Sequence, residues 1–154
     1  MLRIITNPNL ILRKKSQPVA DLNSPEIQQL IPAMLETMLK ADGVGLAAPQ
    51  IGQNIKLVTI QFEGETYIMI NPRIIRKSFF KDWGEEGCLS VPGVAGKVNR
   101  PRAIKVNFIN EKGENQILAA SKMLARIIQH ELDHLDGVLF IDKAKQLKST
   151  LTNG

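Results

Sequence analysis

Apolar residues recur at Ile27, Leu30, Ile31, Met34, Leu35 and Met38, the spacing of one buried helical face. Just before them, Asn23-Ser24-Pro25-Glu26 offers a capping side chain, a proline for the first turn and an acid at the positive helix end. A helix is therefore predicted to run to about Lys40, with Asp42-Gly43 as its stop. Pro32 conflicts with that period and predicts a kink or a later start.

The pattern then shortens. Lys56–Ile60 and Tyr67–Ile70 read as strands joined across Glu63-Gly64-Glu65, and Ile104–Ile109 alternates apolar with polar before a turn at Glu111–Glu114 and a strand at Gln116–Ala119. Helical spacing returns near Ser121, carrying Leu124, Ile127, Ile128 and Leu135 toward a core, with Gly137 placed for a left-handed cap. From Asp142 to Gly154 the chain is polar and is expected to fray. These elements predict an α+β fold, mostly antiparallel strands wrapped around the second helix, in one domain over residues 1–154.

Composition changes this picture little. The chain has 154 residues, enough for a core without staples, and 20 Lys and Arg against 15 Asp and Glu give a formal charge of +5. The aromatics, five Phe, one Trp and one Tyr, form no stacking motif in the sequence, so no stable nucleic-acid complex is expected. One cysteine, Cys88, excludes an internal disulfide, and with no secretory or membrane-spanning run the expected setting is the cytoplasm, away from membranes.

The chemistry lies in the second helix. The only two histidines stand in His130-Glu131-Leu132-Asp133-His134, the HExxH pattern. One helical turn separates the imidazoles, so both can grip one ion while Glu131 handles a proton beside them. Met123 and Ile127 continue the same stripe, as plain core or as one wall of a pocket. Asp133 faces away from it and suits an ion pair.

A catalytic site of this kind needs a third protein ligand and one open position. The metzincin position for a third His is Phe140, and no Glu follows Glu131 to complete a gluzincin site. Asp142 could serve, but the Cys88 thiolate, in a Gly-flanked stretch that reads as a site loop, is the better candidate.

Glu85-Glu86-Gly87-Cys88-Leu89-Ser90 resembles the EGCLS motif of the peptide deformylases. Gly43-Val44-Gly45-Leu46-Ala47-Ala48-Pro49-Gln50 is similar to that family's GxGxAAxQ loop, and Gln129–Gly137 to its QHExDHLxG helix. The resemblance implies removal of the formyl group from the formyl-methionine of nascent peptides. It implies that Cys88, His130 and His134 bind a metal with a water in the fourth place, and that Glu131 is the acid/base. It gives Gln50, through its amide, and Leu89, through its backbone N–H, the task of binding the formyl oxygen. Gly45 would bond the peptide backbone, while Val44, Glu86, Met123, Ile127 and His130 would surround the methionine side chain.

Ferrous iron is the implied cellular metal, with zinc, nickel or cobalt as alternative occupants; a thiolate weakens Lewis acidity and is unusual for a conventional zinc peptidase. Glu86 is also placed to pair with Arg126. The tail lysines Lys143, Lys145 and Lys148 offer at most a transient ribosome contact. Two other readings stand beside this one, a HExxH endopeptidase and a purely structural metal site, which would need a fourth protein ligand.

Overall fold

A computed structural model describes residues 1–150. The first helix, α1 (Pro25–Lys40), starts where the cap signals place it: Ser24 is the N-cap, and its Oγ accepts from the Ile27 N–H at 3.3 Å. The helix continues through Pro32, with Ile31 and Met34 buried on either side. Burial of this face outweighs the backbone donor that the ring removes. At the far end Asp42, and not Gly43, takes the left-handed conformation (φ 56°), while the Gly43 N–H caps the Met38 carbonyl at 2.9 Å.

Five antiparallel strands form the main sheet, in the order β1 (Gly45–Ala47), β2 (Leu57–Phe62), β3 (Glu65–Lys77), β6 (Ala103–Ile109) and β7 (Asn115–Ser121). β2 and β3 meet through a tight turn in which Glu63 and Gly64 both have positive φ, the geometry that matches strand twist. The stretch similar to the GxGxAAxQ loop contains a short, fully buried strand, β1, on the edge of this sheet.

The second helix, α2 (Lys122–Leu135), covers one face of the sheet, burying Ala125, Ile128 and Leu132 against Val58, Ile60, Met69 and Val106. α1 covers the other face of β1–β3, where Leu46, Leu57, Ile68 and Ile70 meet Met34 and Met38. β2 begins with four consecutive buried residues because both its faces are covered there. Among the described residues nothing equivalent covers the outer face of β6 and β7, where Lys105, Ile117 and Ala119 are exposed.

A second sheet has the order β4 (Lys81–Cys88), β5 (Val91–Pro101) and β8 (Lys145–Ser149). Two sequence expectations change here. Cys88 ends a strand rather than sitting in a loop, and the described part of the tail does not fray but pairs with β5. Residues 151–154 of that tail lie outside the described residues. Gly137 is left-handed (φ 74°), and a side chain there would also collide with the Arg13 backbone.

Candidate metal centre

α2 and the end of β4 bring three ligand atoms together. His130 and His134 project from the buried side of α2, their ring centroids 5.2 Å apart, and the ligand atoms of Cys88, His130 and His134 all lie within 4.8 Å of one another. Cys88 reaches the helix through a register shift between Gly87 and Cys88 that ends the regular pairing with β5. Its Sγ stands 3.3 Å from His134 Nε2. A tetrahedral ion with bonds of about 2.3 Å to sulfur and about 2.1 Å to nitrogen would hold such atoms roughly 3.6 Å apart, so the donor set fits a shared cation. The ring of Phe140, at the metzincin third-His position, instead stacks on His130 with centroids 6.0 Å apart.

Around these ligands the supporting groups are specific. His130 Nδ1 donates to Glu86 Oε1 at 2.9 Å, which fixes the tautomer and leaves Nε2 on the ligand side. Glu86 also accepts from Arg100 Nε at 2.6 Å, from Arg100 Nη2 at 2.9 Å and from Arg126 Nη1 at 2.8 Å. Burial pushes the Glu86 carboxyl up, but the hydrogen bonds from His130 and Arg100 and the Arg100 charge outweigh it and bring it to about 2. Arg100 Nη1 reaches onward to Asp133 Oδ2 at 2.9 Å, the ion pair expected of an aspartate turned away from the ligands.

Arg126 pairs with Glu86 as anticipated, and its guanidinium occupies the space a side chain at Gly84 would fill. Arg100 went unrecognised in the sequence. It is 14 residues from Glu86, and the β4–β5 register sets it opposite Asp82, so the two meet only through the reach of the Arg100 side chain.

Glu131 is buried beside the ligands, and its Oε1 has no hydrogen-bond partner among the described residues. Burial raises its carboxyl to about 7. His134 is driven the other way, to about 3, by burial and then by the neighbouring His130 and Arg100 charges; a neutral imidazole is the form that ligates. The β1 backbone passes so close to Glu131 that a Cβ on Gly45 would run into its carboxylate.

Gln50, in the short 3-10 turn Ala48–Ile51, is 1% exposed. Its Oε1 accepts from the Ala47 N–H at 2.9 Å, so its amide is turned to donate to Ser90 Oγ at 3.1 Å and toward Cys88 Sγ at 3.6 Å. The Ser90 N–H also points to that sulfur at 3.4 Å. Donors around the sulfur suit the thiolate that a ligating cysteine becomes. In the sequence Ser90 stands only as the last residue of the EGCLS-like stretch, and no role for its hydroxyl is evident there.

A pocket of about 510 Å³ opens beside these groups. Leu89, Gly45 and Glu86 line it, Ile127 forms buried wall, and Val44 and Met123, each about half exposed, form rim. Ile127 serves both the core and the pocket, which resolves the two readings of the α2 stripe.

The polypeptide deformylase family model matches residues 1–150. A peptide deformylase of Desulfitobacterium hafniense is 45% identical over 136 residues, covering 88% of this chain and 89% of the relative. One from Syntrophomonas wolfei is 44% identical over 142 residues, 92% of each chain. The crystal structure of peptide deformylase from Thermotoga maritima superposes with a TM-score of 0.91 at 37% identity, spanning 94% of this chain and 98% of that one. A peptide deformylase from Synechococcus elongatus, in complex with actinonin, gives 0.90 at 43% identity, with 94% and 79% covered. With a family match over the whole described chain and a Cys/His/His metal site set in the shared fold, this chain belongs to the peptide deformylase family.

Proposed function

We infer that the chain hydrolyses the N-formyl group from formyl-methionyl nascent peptides, releasing formate and a free amino terminus. The observation that carries this reading is the convergence of three ligand atoms beside a buried carboxylate oxygen with no partner among the described residues. Cys88, His130 and His134 would hold a divalent ion, which would supply activated water at neutral pH by lowering its pKa from 15.7 toward about 7. Glu131 takes a proton from the attacking water and later delivers it to the leaving amine as the formyl C–N bond breaks; burial, which raises its carboxyl, makes it a stronger base for the first transfer.

Gln50 Nε2 and the Leu89 backbone N–H donate to the formyl oxygen as it gains charge. The Gln50 amide is already turned by its bond to Ala47, so little reorganisation is needed. Gly45 bonds the peptide backbone, while Val44, Met123, Ile127 and the His130 ring enclose the methionine side chain. Glu86 contributes its aliphatic stem, because both its carboxylate oxygens are engaged by His130, Arg100 and Arg126.

Ferrous iron is the proposed metal, since a thiolate among the ligands weakens a zinc Lewis acid, and the proposed setting is the cytoplasm where nascent chains emerge. Iron-loaded protein kept without oxygen should release formate from formyl-Met-Ala-Ser and leave internal peptide bonds intact. Cleavage of internal bonds without formate would identify an endopeptidase, and no turnover with any divalent metal would leave a structural site. Air should inactivate the iron form faster than the nickel form, and equal loss over hours would contradict iron.

A further inference from the structure

Each tail lysine has a neighbour of suitable charge or a ring within the protein. Lys143 pairs with Asp133, Lys148 pairs with Glu85 at 2.6 Å, and Lys145 Nζ stands 5.5 Å from the Trp83 ring centroid. A different set of cations is free. Among the described residues Arg73, Arg76, Lys77 and Lys105 form no ion pair, and from Ile70 onward in β3, and throughout β6 and β7, there is no acidic residue.

Arg76 and Lys105 are direct cross-strand partners, a like-charge arrangement that destabilises a sheet unless an anion intervenes. With Ile104 and Val106 buried, Lys105 points to the uncovered face, and Ala119 stands opposite it on β7. Small residues there, Ala119, Ala103 and Ser121, leave a depression of about 320 Å³ that Arg76, Lys77 and Lys105 rim. At the turn between β3 and β4, Phe79 and Phe80 are 92% and 68% exposed, with ring centroids 5.6 Å apart at 87°. An edge-on pair of this kind leaves an open ring face for a flat partner. Two adjacent solvent-facing phenylalanines have no role in the core and are costly to leave in water.

From these features we propose that the outer face of β3, β6 and β7, with the Phe79-Phe80 turn, is a docking surface for a single-stranded stretch of RNA, phosphates over the basic depression and a base stacked on Phe79. Unpaired cations beside an exposed aromatic platform match the chemistry of single-strand recognition. The cations rim a recess, which suits a strand laid into it better than a planar bilayer. The surface continues toward the site pocket: the Arg102 N–H bonds the Phe80 carbonyl at 3.0 Å, the Lys122 N–H bonds the Arg102 carbonyl at 2.9 Å, and the next residue, Met123, is pocket rim. The complex is weak and governed by salt.

Fluorescence anisotropy of a labelled twelve-nucleotide oligouridine with the full chain tests this. Three phosphate contacts to a single strand predict that affinity falls about 20-fold between 50 and 200 mM salt. Arg76→Glu with Lys105→Glu should flatten that dependence and abolish binding at 200 mM, while formate release and thermal unfolding stay at wild-type values. Phe79→Ser should weaken binding roughly tenfold with the salt dependence kept. Unchanged RNA affinity in the charge-reversed protein overturns the proposal. So does binding to phosphatidylglycerol vesicles with none to the oligonucleotide, which would make the face a membrane surface.

Discussion

At the scale of single residues, the site depends on groups held in one orientation before substrate arrives. Gln50 is the clearest case: its carbonyl oxygen is taken by Ala47, so its amide can only donate on the metal side. Gln50→Ala should lower kcat about 100- to 1,000-fold, the effect of removing one preorganised donor to an oxyanion, with KM for formyl-Met-Ala-Ser little changed. Equal loss in KM and none in kcat would remove Gln50 from that role. Glu131→Gln should retain the metal, measured by elemental analysis, and lose the acid limb of the kcat/KM profile. The parent should show that limb, because a carboxyl raised by burial must be ionised to accept a proton and activity should fall as pH drops through its pKa. A bound cation moves that limb to lower pH. Residues of this kind were legible in the sequence because their chemistry is rare and locally spaced: two histidines one turn apart, and one cysteine between two Gly-bearing stretches. Arg100 was not legible, since nothing local links it to Glu86 or Asp133 and only the packing of β5 beneath α2 lets its side chain reach both.

Elements are joined here by buried charge as well as by apolar packing. Glu86 on β4, Arg100 on β5 and Arg126 and Asp133 on α2 form one network that fixes the helix against the second sheet. Arg100→Met leaves Glu86 and Asp133 short of a partner and should destabilise the protein by about 3–5 kcal/mol in urea titration. The same network sets an acid limit. Glu86 is depressed from 4.5 to about 2 on folding, so its contribution is complete above about 4.5 and is lost as pH falls toward 2; thermal stability should drop across that window. Gly45→Ala tests the packing of β1 on α2: its Cβ meets the Glu131 carboxylate, so activity should fall at least tenfold while the unfolding temperature shifts little. α1, α2 and the β2–β3 and β6–β7 pairs are legible in the sequence because their periodicity or turn chemistry is local. β4 and β5 are not, because Gly84, Gly87, Gly93 and Gly96 interrupt alternation, and neither is β8, a strand exposed along its length that exists only because β5 offers an edge.

For the whole molecule, the metal site is the point where the end of the second sheet meets the helix that covers the first. An ion bound there stabilises the folded state by mass action, because unfolding separates Cys88 from the two histidines. Removing it with a chelator should lower the unfolding temperature, and Cys88→Ser should lower it further while weakening metal retention. No helix among the described residues is long and apolar enough to cross a membrane. If one sulfur and two imidazoles share an ion that keeps a place for solvent, a crystal structure of the metal-loaded protein will show Cys88 Sγ, His130 Nε2 and His134 Nε2 on one ion, with water in the remaining position facing Glu131. A Cys88 side chain turned away, or a fourth protein side chain closing the coordination sphere, would rule that arrangement out.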